Sequence, residues 1–273
     1  MKPMKKIALL HSLCSVGKAS LTNMLPTFSV MGIEACPIPT VLLSTHTGGY
    51  SIPARQEISA DYIKNCANHY VEQGIHFDAI FVGYLGNGEL ASAIQYFIEQ
   101  FPTAVKITDP IMGDGGNLYS SIHPNCIEVY QKLCSQTDIL LPNFTEACLL
   151  TGCKYETLTN INDLRYICNQ IHTFGPKELI ITDIRFEDGN RYIAHSIDGN
   201  LSTIPVPYEA ESFHGTGDVF DAVFISSYLQ NKCAKESILD AHHFVSTCIR
   251  ESVQSNYPKK EGLLLERALT KIV

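Results

Sequence analysis

Residues 213–222 read FHGTGDVFDA, a glycine-rich turn that runs directly into a long apolar helix. Gly215 and Gly217 allow the backbone to turn tightly and present bare N–H groups, and a helix N-terminus attracts phosphate through its partial positive charge. Asp218, in the first turn of this helix, is a candidate base for a hydroxyl group held beside the phosphate. A purely structural interpretation is also open, in which Thr216 caps the helix and Asp218 only complements its dipole.

The rest of the chain alternates short apolar strands with amphipathic helices. The strands are predicted at 6–10, 78–83, 104–108, 138–141 and 178–182. The helices are predicted at 19–31, 58–74, 89–101, 126–134, 143–152 and 161–174, and a β-hairpin at 191–197 and 201–206 turns at Asp198-Gly199. This order predicts an α/β protein of three α/β/α layers, with a mostly parallel central sheet flanked by helices. With no repeat or linker visible, residues 1–273 are expected to form a single domain.

Prolines and a partial phosphate-loop motif modify this scheme locally. Pro26 is expected to kink or split the first helix, and the two prolines within 36–43 suit an edge strand or a bend. Residues 12–20, SLCSVGKAS, contain the Gly-Lys of a Walker A loop, but serine stands at the first glycine and Ala19 stands where a hydroxyl is needed. We therefore reject a Walker A loop.

Composition excludes several classes of function. A net charge of -8 among 273 residues, without a basic stripe, argues against nucleic acid as a partner. No apolar run approaches the ~20 residues of a membrane span, and the N-terminal run is too short for a signal peptide, so we expect no membrane partner and a cytoplasmic location. The ten scattered cysteines predict reduced thiols, and His242-His243 make a poor metal pair on a helix.

Polar residues follow successive strands, at the end where open α/β sheets bind their ligands. They are Ser12, Thr45-His46-Thr47, Tyr84, Asp109 with Asp114, Asn143 with Glu146, and Thr182. Local explanations stay open for some of them: Asp114 before two glycines suits a turn, and Asn143 with Glu146 suits a capping box. Together with the phosphate-attracting helix, such a rim offers acidic groups for Mg²⁺, N–H donors and a base, as phosphoryl transfer requires.

The same residues resemble a known family, the ribokinase-like small-molecule kinases, and within it the pyridoxal/pyridoxamine (vitamin B6) kinases. The likeness runs over nearly the whole chain and is carried by Ser12, STHTG at 44–48, GYLG at 83–86, DPIMGD at 109–114, PNFTE at 142–146 and GTGD at 215–218. The resemblance implies a ribokinase-like fold without a separate lid domain, ATP and Mg²⁺ as cofactors, a B6 vitamer as the small-molecule substrate, and a homodimer.

Residue roles follow from the resemblance. It implies that Asp218 is the base for the 5′-hydroxymethyl group, with Gly215, Thr216 and Gly217 as the anion hole. It also implies that Asp114 and Glu146 hold the metal, directly or through water, and that Asn143 and Thr182 contact the nucleotide, with Asp109 near the cation. The substrate pocket that it implies contains Ser12, Thr47 and Tyr84. His46 is a further pocket candidate, for which ordering of the loop by hydrogen bonds is the favoured alternative.

Three departures from the family pattern limit what the resemblance implies. Leu13 replaces a common histidine, Thr45 a common asparagine, and Leu141 a threonine found near a monovalent cation in some members. They leave open the preferred vitamer and any dependence on a monovalent cation. The rival functions are a hydroxymethylpyrimidine kinase and a non-catalytic vitamer-binding protein on the same fold.

Overall fold

The computed structural model describes residues 4–86, 88–156, 158 and 160–272. Its strands are β1 (Lys6–Val16), β2 (Glu34–Thr45), β3 (Arg55–Glu57), β4 (Ala79–Val82), β5 (Val105–Thr108), β6 (Gly113–Asp114), β7 (Asn117–Leu118), β8 (Ile139–Leu140), β9 (Glu178–Arg185), β10 (Arg191–Ile197) and β11 (Asn200–Val206). Its α-helices are α1 (Leu21–Val30), α2 (Ala60–Glu72), α3 (Ala91–Gln100), α4 (Cys126–Cys134), α5 (Phe144–Thr151), α6 (Ile161–His172), α7 (Thr216–Leu229), α8 (Ala234–Gln254) and α9 (Leu265–Ala268). Short 3₁₀ turns lie at Gly88–Leu90, Lys259–Glu261 and Leu269–Lys271.

The main sheet has the strand order β11-β10-β9-β8-β5-β4-β1-β2-β3. The six neighbouring strands β9, β8, β5, β4, β1 and β2 run parallel to one another. At one edge β3 pairs antiparallel with β2, and at the other β10 pairs antiparallel with both β9 and β11. Strands β6 and β7 form a separate two-stranded ribbon. Consecutive parallel strands are joined through helices, which places the ends of the strands and the loops that follow them along one edge of the sheet.

Alternate residues of each central strand point to opposite faces of the sheet, so each face has its own core. In β1, Ala8 and Leu10 pack with helices α2 to α6, whereas Ile7 and Leu9 pack with α1, α7 and α8. The predicted three-layer α/β/α fold with a mostly parallel sheet is confirmed. In the part of the chain that the structure describes, no helix is both long and apolar enough to pass through a membrane.

The predictions for the hairpin and for the prolines can be compared with the structure. The predicted hairpin is confirmed, with its second strand beginning at Asn200, one residue earlier than expected, and Asp198 and Gly199 both adopt the positive φ of a tight two-residue turn. The prolines of β2 lie before residue 41, where β2 pairs only with β1, so this stretch forms the edge that they suit. Pro26 was expected to kink or split the first helix; the split is wrong, since α1 continues from Leu21 to Val30 with Pro26 inside it, and the kink stays a prediction.

Candidate active site

One open cavity of about 760 Å³ lies at the carboxyl ends of the parallel strands. Every residue to which the sequence analysis assigned a role lines it: Ser12, His46, Thr47, Tyr84, Asp109, Asp114, Asn143, Glu146, Thr182, Gly215, Thr216, Gly217 and Asp218. Ser12 and Thr182 lie within β1 and β9, Asp114 lies in β6, and Glu146 lies in the first turn of α5. The others come from the loops after β2, β4, β5 and β8 and from the start of α7. The roles predicted for these residues stay predictions, but the fold brings the residues together.

The N-terminus of α7 faces this cavity and its backbone geometry requires glycine. Gly215 is the N-cap with φ 82°, and a Cβ there would stand 2.2 Å from the Asn23 side chain and from the Lys18 carbonyl oxygen. Thr216 is the first helical residue, and no side chain caps α7. The interpretation of Thr216 as a helix cap is therefore wrong. The first amide groups of the helix remain for another acceptor, as an anion hole requires.

The carboxylate of Asp218 is buried in the first turn of α7 and is held on both oxygens. Oδ1 lies 2.8 Å from Nε2 of His11, and Oδ2 accepts a hydrogen bond of 2.7 Å from the backbone N–H of Ser20. Sequence reasoning missed both partners, because they lie in β1 and in the loop before α1. The Asp218 side chain is thus held in one orientation at the cavity wall.

A second buried carboxyl, Asp221, stands one helical turn after Asp218 and was also missed. Burial, followed by the neighbouring Asp221, raises the pKa of Asp109 well above its usual range. Burial likewise raises the pKa of Asp221, to which Asp218 and Glu146 also contribute, while its hydrogen bond with Asp109 acts in the opposite direction. The only signal in the sequence was the three-residue spacing from Asp218, which puts both carboxyls on one face of the helix.

The capping box predicted at the start of α5 is confirmed. The Asn143 side chain accepts from the N–H of Glu146 at 2.9 Å, and Oε2 of Glu146 accepts from the N–H of Asn143 at 2.9 Å. Oε1 of Glu146 accepts a further bond of 3.1 Å from the N–H of Met112. Burial and the nearby Asp109 raise the pKa of Glu146, and these backbone bonds oppose the shift.

The acidic residues predicted to hold Mg²⁺ differ in how many of their carboxylate oxygens already accept hydrogen bonds. Asp114 is exposed on the ribbon, where only Oδ1 accepts a bond, 2.7 Å long, from the N–H of Gly115. Glu146 has a backbone donor on each oxygen, which suits contact through water. The described residues contain no group of three or more side chains that could hold a metal by themselves. The residues present therefore fit Mg²⁺, which commonly takes one or two carboxylates and completes its shell with water and substrate phosphates.

The residues of the predicted substrate pocket line the same cavity. The Ser12 hydroxyl donates to the Ser20 hydroxyl at 2.7 Å, and Tyr84 and the exposed Thr47 also line the cavity. Nδ1 of His46 accepts from the N–H of Gly48 at 3.1 Å, and its Nε2 lies 2.8 Å from the carbonyl oxygen of Lys260. His46 thus orders the loop, as the favoured alternative predicted, while it also borders the cavity.

Two positively charged side chains, one from β9 and one from β10, line the cavity. Arg185 and Arg191 line it near Thr182, and both pair with Asp183. The Arg191 guanidinium also lies 4.6 Å from the centre of the Tyr208 ring. Sequence reasoning missed these side chains because arginine in an exposed hairpin is usually a solvated surface residue.

Comparison with known proteins matches residues 15–262 to a family described as phosphomethylpyrimidine kinase. The chain belongs to this family. Pyridoxal kinase of Bos taurus is 27% identical over 250 residues, which covers 81% of this chain and 78% of the bovine protein. These matches confirm the resemblance inferred from the sequence motifs, and they show a kinase that phosphorylates an alcohol group.

Solved structures agree with this assignment. A Bacteroides thetaiotaomicron protein, described as a phosphomethylpyrimidine kinase and solved with pyridoxal, superposes with a TM-score of 0.92 at 29% identity, over 98% of this chain and 96% of that protein. Pyridoxal kinase from Lactobacillus plantarum superposes with a TM-score of 0.88 at 28% identity, over 99% of this chain and 97% of that protein. The fold of this kinase is therefore ribokinase-like.

Proposed function

We propose that this kinase uses ATP and Mg²⁺ to phosphorylate the 5′-hydroxymethyl group of pyridoxal, pyridoxine or pyridoxamine and forms the 5′-phosphate. The observation that carries the proposal is that Asp218 and the uncapped N-terminus of α7 share one cavity with the Ser12, Thr47 and Tyr84 pocket. The pyridoxal in the structure of the Bacteroides thetaiotaomicron relative supports this class of substrate.

Asp218 acts as the base in this scheme. The substrate hydroxyl oxygen attacks the γ-phosphorus of ATP, its proton moves to the Asp218 carboxylate, and the bond from phosphorus to the β-phosphate oxygen breaks to release ADP. A carboxylate that is held on both oxygens still offers a second lone pair on each for this proton. The buried position of Asp218 in the cavity wall limits the contact of its carboxylate with water.

Negative charge on the transferring group is stabilised by the backbone at Gly215, Thr216 and Gly217, because the first amides of α7 point out of the helix. Asp114 and Glu146 are the residues that would hold Mg²⁺, which neutralises charge on the ATP phosphates when it is bound. Asn143 and Thr182 form a bridge between the start of α5 and β9, at the position expected for the remaining phosphates.

The test measures ADP release with pyridoxal, pyridoxine, pyridoxamine and hydroxymethylpyrimidine. Asp218→Asn should lower kcat by about 10²-fold or more, the usual contribution of a general base. Asp78→Asn, the same change at the opposite end of the sheet, is the control and should keep kcat. The proposal fails if none of these compounds is turned over, or if Asp218→Asn keeps near-normal kcat.

The second candidate is a hydroxymethylpyrimidine kinase, which is kept because the family that matches the chain is described by a related pyrimidine, as phosphomethylpyrimidine kinase. A kcat/KM for hydroxymethylpyrimidine above that for every B6 vitamer would establish it in place of our proposal. Vitamer binding without ADP release would instead indicate the non-catalytic alternative. The homodimer, the cytoplasmic location and any dependence on a monovalent cation stay predictions.

A further inference from the structure

His11 is a buried side chain in contact with Asp218, behind the cavity wall, and it takes no part in the reaction as proposed above. It lies in β1 with no exposed surface, and its ring packs against Phe81 with 5.8 Å between ring centres. A Cβ at position 83 would stand 2.9 Å from this ring, so Gly83 leaves the room that the imidazole occupies. The ring is therefore held tightly between β1 and the end of β4.

The hydrogen bonds around the ring determine which nitrogen carries the hydrogen. Nδ1 of His11 accepts the backbone N–H of Ser12 at 2.9 Å and that of Tyr84 at 3.0 Å. A nitrogen that accepts from two amides cannot carry a hydrogen itself, so the hydrogen of the neutral ring is on Nε2. Nε2–H then donates to Oδ1 of Asp218 at 2.8 Å.

The backbone amides that meet at Nδ1 belong to two residues of the predicted substrate pocket, Ser12 and Tyr84. One imidazole therefore links the pocket to the carboxylate. On the other oxygen of Asp218, Ser20 donates its N–H with φ 59° and ψ -138°, a backbone conformation that side-chain-bearing residues rarely adopt. Such strain is retained where the surrounding structure requires one geometry.

We propose that His11 is a positioning residue for phosphoryl transfer, which orients the Asp218 carboxylate relative to the substrate pocket. This inference rests on the proposed function. His11 does not itself take up the substrate proton, because Nδ1 is occupied by two amides and Nε2 already carries a hydrogen. The proton remains on Asp218, and the contribution of His11 is the alignment of that carboxylate with the hydroxyl group.

The kinetic test compares two substitutions at position 11. Leucine is apolar and makes none of the three bonds, whereas glutamine offers one carbonyl oxygen for the two amides and one N–H for Asp218. His11→Leu should lower kcat by about 10²-fold, the scale of a misaligned reacting group. His11→Gln should recover kcat to within about tenfold of wild type.

His172 provides the matched control, because it is a partly buried histidine with both nitrogens hydrogen-bonded, to the Pro176 carbonyl oxygen and the Ser196 hydroxyl, away from the cavity. His172→Leu and His172→Gln should change the melting temperature and leave kcat unchanged. Equal losses of kcat in His11→Leu and His11→Gln, or a normal kcat in folded His11→Leu, would overturn the positioning role.

A spectroscopic measurement separates this inference from the proposed function. In protein labelled with ¹⁵N-histidine, NMR should show the His11 hydrogen on Nε2, and Asp218→Ala should shift that resonance and speed exchange of its hydrogen with water. A hydrogen on Nδ1, or a resonance that Asp218→Ala leaves unchanged, would refute the inference. If wild-type protein shows the predicted resonance but turns over none of the compounds, the proposed function fails and the His11–Asp218 hydrogen bond stands without a catalytic role; if the compounds are turned over but the resonance is absent, only the positioning role fails.

Discussion

Asp218 accepts hydrogen bonds from residues 207 and 198 positions earlier in the chain. No local pattern around GTGD points to His11 or Ser20, since neither lies near it in sequence. What the motif does indicate is that its glycines allow backbone conformations or close contacts that other residues would not. Gly215 and Gly217 meet very different surroundings, and this difference can be tested directly.

Gly215→Ala should destabilise the protein, because alanine at φ 82° is strained and its Cβ would overlap the Asn23 side chain and the Lys18 carbonyl oxygen. We expect a loss of at least about 2 kcal/mol in the free energy of unfolding, measured by urea denaturation. Gly217→Ala is the matched variant. It is helical with no atom within 4 Å of the added Cβ, so its stability should stay within about 1 kcal/mol of wild type, towards higher stability.

The same Cβ at position 217 projects into open space at the cavity wall, so Gly217→Ala should lower kcat although it folds normally. Comparable stability losses in the two variants would show that the tight packing around Gly215 is not present in solution. A normal kcat in Gly217→Ala would count against an anion hole at this position.

At the scale of the helices, α5 and α6 begin with the same kind of cap in different places. Asn143 caps α5 inside the cavity and also donates from Nδ2 to the Gly113 carbonyl oxygen at 2.9 Å, whereas Asn160 caps α6 on an exposed surface. The capping pattern is local and was visible in the sequence at Asn143. The further hydrogen bond of Asn143 to Gly113, which links α5 to the ribbon, depends on the fold.

Asn143→Ala should therefore cost about 2 kcal/mol in unfolding free energy, because its cap and its bond to Gly113 are partly buried. Asn160→Ala should cost about 1 kcal/mol or less, because its cap and its bond to Asp163 are exposed to water. The KM for ATP should rise severalfold only in Asn143→Ala. Thermal denaturation and ADP release measure the two effects. A similar rise of KM in both variants would indicate loss of helix stability alone and would remove Asn143 from the nucleotide site.

At the scale of the whole molecule, the fold gathers buried carboxyls at the carboxyl edge of its sheet. Burial is the first cause that raises the pKa of Asp109, Asp221 and Glu146. Between the ordinary carboxyl pKa values near 4 and these raised values, the folded protein binds more protons than the unfolded chain. Their contribution to stability is thus complete at low pH and is lost as the pH rises.

Asp221→Asn should reduce the loss of stability that the folded protein undergoes as the pH rises. In metal-free protein we expect unfolding free energy to increase by on the order of 1 kcal/mol or more near pH 8, the value of a tenfold change in proton affinity, and the gain to vanish near pH 4. Urea denaturation across this pH range measures it. A gain that is equal at all pH values would show that Asp221 does not titrate with a raised pKa.

Asp78→Asn is the control, because its effect on stability should depend on pH in the opposite direction. Burial opposes the shift, but hydrogen bonds from the Lys5 side chain and the Lys6 backbone N–H together lower the pKa of Asp78. Its contribution is present at neutral pH and is lost as the pH falls through its lowered value, so Asp78→Asn should destabilise at neutral pH and have little effect in acid.

The α/β fold class and the positions of most elements were predictable, because periodicity, glycines and turn residues act over a few positions. The hairpin at 191–206 shows this best, since Asp198-Gly199 defines its turn. The continuation of α1 through Pro26 was not predictable from propensity, because packing of Met24 and Phe28 against α7 and the sheet overrides it.

By itself, the sequence determined the alternation of strands and helices, the glycine turn before α7 and the polar residues that follow each strand, because these depend on local conformation and on hydrophobic pattern. Only the tertiary structure decided that Thr216 leaves α7 uncapped, that Asp221 lies close enough to Asp109 to shift its pKa, and that His11 joins the Asp218 carboxylate to the pocket. These contacts join residues far apart in the chain, and a hydrogen bond across such a separation is specified by how the layers pack.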